Sequence, residues 1–261
     1  MESLEYNTAP SAEGRSSGKT ALRNRDVDEI VLRAVATLEE DIVLGYLHPR
    51  ERLIEDDLRE RFDLKRHVVR QVLTELERKG LVERKKNFGA VVKFHTVAEV
   101  MNLYEVRDIL ESSAAQRIPL PLAPERLDTL VAIQRAHDGA VARTDLRAVF
   151  RANMAFHKAL FAATENLELA DVIEDFAQRT NAIRSSSTVI PEHLEQSRKE
   201  HWEIIEALRS GDRDALVALC RHHLTPARDH YIERYRMLYR DKGTADATRA
   251  ASVSGARQET P

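Results

Sequence analysis

Residues 65–80 read KRHVVRQVLTELERKG, and this stretch decides the fold of the N-terminal part of the chain. Its apolar residues recur at intervals of three and four, the spacing of one face of an α-helix, at Val69, Val72, Leu73 and Leu76. We predict a helix over 65–79 with a basic first turn. Gly80 follows as the residue that commonly ends a helix in the left-handed conformation.

Two further helices are predicted before this one. Apolar residues recur at helical spacing from Val27 to Ile42, and Gly45 ends the pattern. A short helix over 55–62 follows, separated from the helix over 65–79 by a tight turn. In a helix-turn-helix the second helix of such a pair enters the DNA major groove.

The segments after Gly80 predict a β-hairpin. Two short segments rich in β-branched residues, 81–84 and 90–94, enclose a basic loop that ends in Gly89. Three helices followed by a hairpin predict a winged helix-turn-helix DNA-binding domain over residues 25–95.

Positive charge is concentrated in this domain, although the whole chain has a net charge of −3. Residues 59–93 contain eleven basic and five acidic side chains, a balance that suits a phosphate backbone. A solvated charged surface is the alternative. The predicted DNA contacts lie at the start of the second helix and in the wing: Lys65, Arg66, His67, Arg70, Lys85, Lys86 and Gly89.

Two of these residues are suited to base recognition and one to phosphate binding. Arg66 and Arg70 are four residues apart and share one helix face. From that face a guanidinium can bind guanine O6 and N7 with two hydrogen bonds. Gly89 would let a backbone N–H approach a phosphate.

From Val97 onward the sequence predicts helices only. Proline, glycine and asparagine residues divide this region into six predicted helices: 97–117, 124–141, 144–163, 167–189, 192–209 and 212–238. The predicted fold is therefore mostly α, with a C-terminal all-α antiparallel bundle over 96–240.

The remaining segments and the cysteine content predict a soluble cytoplasmic protein without a membrane partner. Residues 1–24 and 241–261 are polar and lack an apolar period, which predicts two disordered tails. Cys220 is the single cysteine, which is typical of a reducing compartment. No apolar run approaches the about 20 residues that span a membrane. A DNA-bound form would be associated with the nucleoid.

Four polar residues lie on the apolar faces of three predicted bundle helices: Asn153, His157, His201 and His223. A single histidine in such a position is usually a hydrogen-bonded core residue, and this is the alternative for each. Imidazoles contributed by three helices of one bundle favour a shared site for a divalent metal ion of the Zn²⁺, Ni²⁺ or Mn²⁺ class.

The helix-turn-helix sequence also matches a known pattern. Residues 45–58, GYLHPRERLIEDDL, are similar to the motif G-x-L-x-P-G-x-x-L-x-E-x-x-L of the GntR family of bacterial regulators. The segment from Arg66 to Val82 is similar to that family's next block, S-R-x-P-V-R-x-A-L-x-x-L-x-x-x-G-L-V. Lys65 replaces the serine of this block, so we expect Asp63 to cap the following helix. The resemblance implies a homodimer on a short palindromic operator.

The bundle resembles the FCD ligand-binding domain, in its shorter VanR-type form. Asn153 and His157, followed by Asn166, are similar to the D/N-x-x-x-H … N element of that domain. His201 and His223 match its second half, with His222 as the alternative to His223, although the spacing favours His223. In FCD domains the Asp or Asn and the three histidines bind a metal ion. The resemblance implies this role for the four matching residues here.

Arg107 is the predicted effector-binding residue. It lies in the stretch YEVRDILE, residues 104–111, which is similar to the element E-x-R-x-x-L-E of the same family. A guanidinium in a pocket suits a small carboxylate. The alternative is a plain helix pair between Arg107 and Glu111.

Together these features predict a ligand-responsive transcriptional regulator, most often a repressor in this family, and not an enzyme. It would bind double-stranded operator DNA as a homodimer and sense a small organic acid through a metal-containing helical domain. Two alternatives stay open: a regulator for which the metal itself is the effector, and a metal-dependent enzyme with an appended DNA-binding domain.

Overall fold

The structure is a computed structural model. It describes the backbone of residues 14–85, 88–184 and 190–255, and the side chains of residues 27–85, 88–184 and 190–237. Lys86, one of the predicted DNA contacts, lies outside these residues.

The N-terminal domain is a winged helix-turn-helix, which confirms the predicted fold. Its elements are α1 (Gly14–Val43), β1 (Arg52–Leu53), α2 (Glu55–Phe62), α3 (Arg66–Arg78), β2 (Val82–Lys85) and β3 (Gly89–Val92). The strands form an antiparallel sheet in the order β1-β3-β2. Strand β1 is not predicted from the sequence, because it consists of two residues that pair with Val91 and Ala90 of β3.

An apolar core between α1, α3 and the wing orients the recognition helix. Leu38 of α1, Leu76 of α3 and Ala90 of β3 are fully buried. Burial of a leucine side chain contributes roughly 1.5–3 kcal/mol, so the apolar face of α3 is held against α1. The opposite face, with Arg66 and Arg70, is exposed.

The predicted role of Asp63 as the cap of α3 is wrong. Asp63 is instead the left-handed residue that ends α2, with φ of 50°, a conformation that aspartate adopts more readily than most residues. Helix α3 begins after Lys65, and Lys65 makes no capping hydrogen bond through its side chain.

The C-terminal domain is an all-helical bundle, as predicted. Its helices are α4 (Val97–Ala115), α5 (Pro124–Ala142), α6 (Leu146–Ala162), α7 (Leu167–Arg179), α8 (Asn181–Arg184), α9 (Pro191–Ser210) and α10 (Arg213–Gly255). Within the described residues, no helix has an apolar segment long enough to cross a membrane.

The single helix predicted over 167–189 is divided at Thr180 into α7 and α8. The Thr180 hydroxyl donates to the carbonyl of Ala177 at 2.8 Å and accepts from Arg107 at 3.0 Å. A threonine hydroxyl that bonds the preceding turn in this way competes with regular helix geometry. Residues 185–189 lie outside the described residues.

Helices α1 and α10 extend into the segments predicted as tails. Helix α1 begins at Gly14 and α10 ends at Gly255, and both extensions contain good helix formers such as Ala, Arg and Lys. Residues 1–13 and 256–261 lie outside the described residues, and the disorder of the two tails stays a prediction.

Three consecutive acidic residues of α1 join the two domains. Glu39, Glu40 and Asp41 are buried. Arg147 of α6 donates to Glu40 Oε2 and to Asp41 Oδ1, both at 2.6 Å, and Arg151 also binds Glu40. Burial opposes the charge of Glu40, but the hydrogen bonds from Arg151 and Arg147 outweigh it and lower the pKa of Glu40.

Glu39 connects the bundle to the end of the recognition helix. Asn181 of α8 donates its Nδ2 to Glu39 Oε1 at 2.8 Å. The other carboxylate oxygen, Oε2, accepts from Lys79 Nζ at 3.1 Å, and Lys79 is the C-cap of α3. One carboxylate therefore bonds both domains.

Candidate functional site

The start of α3 presents the predicted DNA-contacting side chains to solvent. Lys65, Arg66, His67 and Arg70 are all exposed, whereas Val69 points into the core. The side chains of Arg66 and Arg70 are 55% and 56% exposed, so a DNA duplex docked on α3 can contact both. The shared face expected from their four-residue spacing is present.

Carboxylates of α2 hold these two guanidinium groups. Arg66 Nη2 donates to Asp56 Oδ1 at 3.1 Å, and Arg70 Nε is 3.2 Å from both carboxylate oxygens of Glu55. Half-exposed ion pairs of this kind are worth at most about 1 kcal/mol. They therefore orient the arginines at little cost to a later exchange for base or phosphate acceptors.

The wing forms the other side of a groove along α3. Lys85 lines this groove together with Arg52 and Arg84, two basic residues that the motif comparison did not single out. Arg84 Nη1 donates to Thr74 Oγ1 at 2.9 Å, and Arg52 Nε donates to the carbonyl of Phe88 at 2.8 Å. Both arginines are thus fixed at the groove by contacts that form only when the wing packs against α3 and β1.

Gly89 has a structural reason to be glycine that the sequence did not reveal. Its φ is 86°, and a Cβ atom at this position would lie 2.9 Å from the carbonyl oxygen of Leu53 in β1. A side chain would push β3 away from β1. The predicted approach of its N–H to a phosphate stays a prediction beside this role.

Three of the four predicted metal ligands come together inside the bundle. His157 of α6, His201 of α9 and His223 of α10 each offer a ligand atom, and these atoms lie within 4.8 Å of one another. The Nε2 atoms of His157 and His223 are 3.1 Å apart. Two nitrogens bound to one ion at about 2.0–2.1 Å are separated by a similar distance.

Neighbouring polar groups orient two of these imidazoles. Gln134 directs its Nε2 to Asp138 Oδ1 at 2.9 Å, so its Oε1 accepts from His201 Nδ1 at 2.8 Å. His201 Nε2 then carries a lone pair, and it has no hydrogen-bond partner among the described residues. His223 Nδ1 lies 2.6 Å from Glu200 Oε2. Metal-binding histidines are commonly oriented by such outer contacts.

Two of the imidazoles, those of His157 and His201, are held in the neutral form that binds metal ions. Burial lowers the pKa of His157 and His201 well below 6.5, and the proximity of His223 lowers both further. Burial opposes the charge of Glu200, but its hydrogen bond with His223 outweighs this and lowers the pKa of Glu200. A carboxylate therefore stands behind one of the three histidines.

Asn153 lies beside the histidine cluster. It is buried, one helical turn before His157, and lines a cavity of about 80 Å³ together with His223 and Glu200. His137 of α5 also lines this cavity, and its ring centroid is 5.3 Å from that of His201. The roles of His137, Gln134 and Glu200 were not predicted from the sequence, because they depend on how α5 and α9 pack.

Arg107 is buried and bonded within the bundle. Its Nε donates to Glu111 Oε1 at 2.8 Å, and its Nη1 donates to Thr180 Oγ1 at 3.0 Å. The helix pair with Glu111, the alternative expected from the sequence, is therefore present. Arg184 of α8 borders the cavity beside His223. Burial, followed by the charge of Arg107, lowers the pKa of Arg184 to about 10.

Both domains match known protein families. Residues 30–92 match bacterial regulatory proteins, gntR family, and residues 102–226 match the FCD domain. The HTH-type transcriptional repressor RspR of Escherichia coli (strain K12) is 25% identical over 187 residues, which are 72% of this chain and 82% of that protein.

Two solved structures share the fold. One, from Rhodococcus sp. RHA1 and described as a transcriptional regulator GntR, gives a TM-score of 0.67 at 22% identity and covers 79% of this chain and 99% of that chain. E. coli McbR/YncC gives a TM-score of 0.65 at 20% identity, with coverage of 80% and 98%.

A winged helix with an exposed basic recognition helix, joined to a helical domain, defines a DNA-binding transcriptional regulator. The chain belongs to the GntR family and carries an FCD ligand-binding domain. These are families of regulators and not of enzymes, in agreement with the prediction. Its assignment to the VanR-type subgroup stays a prediction.

Proposed function

We propose that the chain is a ligand-responsive repressor in the cytoplasm that binds a palindromic operator as a homodimer and releases it when a small carboxylate enters the FCD domain. The exposed guanidinium pair of Arg66 and Arg70 is the observation that supports operator recognition. The name of RspR, a repressor, supports the direction of regulation.

His157, His201 and His223 would hold a divalent metal ion through their Nε2 atoms, with Asn153 beside them. The chain fits such an ion, because His201 Nε2 is buried without a hydrogen-bond partner among the described residues and an unsatisfied buried nitrogen is costly. Three imidazoles suit Zn²⁺, Ni²⁺ or Mn²⁺. When bound, the ion would supply a Lewis-acidic position that attracts a carboxylate.

Arg184 would supply the positive charge for the effector, and Arg107 would fix the wall of the pocket. The guanidinium of Arg107 already donates hydrogen bonds to Glu111 and Thr180. We therefore assign Arg107 to fixing the wall of the pocket. Arg184 borders the cavity that also contains Asn153 and His223. Because Arg184 also lines the cavity that Arg107 lines, we assign the direct contact with the carboxylate to Arg184.

The effector signal would reach DNA through the contacts between the domains. Arg107 bonds Thr180, the next residue Asn181 bonds Glu39, and Glu39 bonds Lys79 at the end of α3. A ligand that displaces α8 changes the support of the recognition helix. Such a ligand shifts the population of DNA-competent molecules by its differential affinity for the two arrangements.

Operator binding measured by fluorescence anisotropy tests this function. Zn²⁺-loaded full-length protein is titrated onto an operator obtained by in vitro selection, with and without a panel of small carboxylates. We expect a palindromic selected site, with two protomers per site. At least one acid should weaken binding tenfold or more.

Two other results would change the proposal. A change of operator affinity on adding or removing the metal alone, with no effect of any acid, would favour metal as the effector. Selection of no sequence, with binding that varies only with salt concentration, would contradict operator recognition by α3.

A further inference from the structure

We propose that the effector is a monocarboxylate with an apolar tail, and that the tail occupies a second cavity between α4, α6 and α7. This inference rests on the proposed function, because it concerns the ligand of the same FCD domain. It adds the chemical class of that ligand and the residues that set its length.

The second cavity has a volume of about 250 Å³. Its apolar walls include Met154 and Phe161 of α6 and Ile173 and Ala177 of α7. Small-molecule sites start at roughly 300 Å³ and are lined mainly by apolar side chains with a few placed polar groups. The cavity therefore suits a short alkyl chain or one aromatic ring.

Six charged side chains line this cavity beside its apolar residues: Arg107, Glu111, Lys158, Asp171, Glu174 and Arg184. Arg107 and Glu111 form a buried ion pair at 2.8 Å, so their charges balance. Arg184 also lines this cavity, and its Nη1 contacts Met154 Sδ at 3.7 Å.

Arg184 also borders the cavity beside Asn153 and His223, so it lies between the two cavities. His157 lines the apolar cavity and is buried, and its Nδ1 has no hydrogen-bond partner among the described residues. A carboxylate held by Arg184 at this boundary would have the histidine cluster on one side. Its tail would extend into the apolar cavity on the other.

The exposed residues of the lining mark an entrance to the cavity. Lys158 of α6 and Glu174 of α7 form an ion pair at 2.9 Å between the two helices, and Leu167 at the start of α7 is 72% exposed. All three residues line the cavity. An exposed ion pair exchanges readily with water, so it does not close the cavity.

The apolar residues of the lining disfavour compact polyhydroxy acids and dicarboxylates in this cavity. A second carboxylate or a row of hydroxyls would lie against Phe161, Ile173 and Ala177, where it would lose its hydration without gaining partners. The apolar tail of a monocarboxylate matches these walls.

Binding of a homologous series tests the inference. Straight-chain carboxylates from acetate to decanoate, and the primary alcohols of equal length, are titrated onto Zn²⁺-loaded full-length protein by calorimetry. We expect affinity to rise about fourfold with each added methylene until the cavity is filled. The alcohols should bind at least tenfold more weakly than the acids, because they lack the charge that Arg184 recognises.

Two variants with matched controls locate the site. Ala170→Leu adds a side chain that lines the cavity and should shorten the longest acid that binds, whereas Ala132→Leu on the exposed face of α5 should not. Arg184→Gln should lower the affinity for acids tenfold or more and leave the affinity for alcohols unchanged. Arg184→Lys should give an intermediate affinity for acids. Unchanged thermal unfolding would confirm that each variant is folded.

Three results would overturn the inference: tight binding of dicarboxylates or hydroxy acids alone, equal chain-length preference in Ala170→Leu and wild type, or no binding of any acid. The proposed regulatory function is judged separately by operator binding. A protein that binds its operator and responds to a compact acid would retain that function and lose only the apolar-tail assignment.

Discussion

At the scale of single residues, the burial of individual side chains determines which arginines α3 and the wing present to DNA. Arg66 and Arg70 are exposed because Val69, between them, is buried. The sequence predicted this arrangement, since it depends only on helical spacing. The contacts of Arg52 and Arg84 could not be predicted, because they require the position of the wing.

Replacement of Arg66 or Arg70 by alanine should reduce sequence preference about tenfold or more. Loss of a guanidinium that bonds a guanine costs about 1–3 kcal/mol of discrimination. The measurement is operator affinity relative to a scrambled duplex at fixed salt concentration. Arg78→Ala, in the last turn of α3, serves as the control and should retain preference. Equal preference in all three variants would contradict recognition by the start of α3.

Replacement of Gly89 by alanine should destabilise the wing by about 2 kcal/mol or more. A left-handed φ costs a non-glycine residue roughly 1–2 kcal/mol, and the added Cβ would contact the Leu53 carbonyl. Gly139→Ala is the matched control, because Gly139 lies inside α5 and its Cβ would meet only the end of the Arg143 side chain. That change should stabilise by about 0.5–1 kcal/mol. Urea unfolding of both variants measures the difference.

At the scale of elements, the ends of helices agree with the sequence prediction where capping residues determine them. Thr96 begins α4 with a reciprocal capping box to Glu99, and Gly211 ends α9 in the left-handed conformation. The break at Thr180 was not predictable in the same way. It coincides with a hydrogen bond from Arg107, which is 73 residues away in sequence.

The junction between the wing and α4 should make folding sensitive to acid. His95 is buried there, and its backbone bonds the hydroxyl of Tyr231 of α10. Burial, followed by the charge of Lys93, lowers the pKa of His95 to about 4. Between pH about 6.5 and 4, the His95 imidazole binds a proton in the unfolded chain but not in the folded chain. The free energy of unfolding therefore keeps its full value above pH about 6.5, and the part that depends on neutral His95 is lost as the pH falls towards 4.

The loss attributable to His95 should reach about 3 kcal/mol at most. Urea unfolding of wild type and His95→Gln at pH 7.5, 6 and 5 measures it, and the variant should show a shallower decline. The comparison within each pH isolates His95 from His157 and His201, whose pKa values are also lowered. Parallel pH profiles for the two proteins would refute this assignment.

At the scale of the whole molecule, charged contacts join the two domains. The sequence predicted each domain but not their contact, because buried acidic residues of α1 read as an ordinary charged helix face. Glu39, Glu40 and Asp41 are buried only because α6 and α8 supply Arg147, Arg151 and Asn181.

Asn181→Ala should weaken the communication between the domains. Removal of the Asn181 hydrogen bond leaves Glu39 attached to Lys79 but not to α8. We expect the effect of an active acid on operator affinity to fall about fivefold or more, within the usual size of allosteric coupling. Acid affinity in the absence of DNA should change little. Gln178→Ala, on α7, is the control, and equal coupling in both variants would contradict the route through Glu39.

The metal content of the purified full-length protein tests the central claim most directly. The account predicts about one divalent ion per chain by inductively coupled plasma mass spectrometry, removed by a chelator and absent from the His157→Ala/His201→Ala double variant. It also predicts that the double variant stays folded and still binds operator. Wild-type protein without metal after Zn²⁺ loading, or full occupancy in the double variant, would contradict the metal centre. Either result would return the three histidines to the role of core residues.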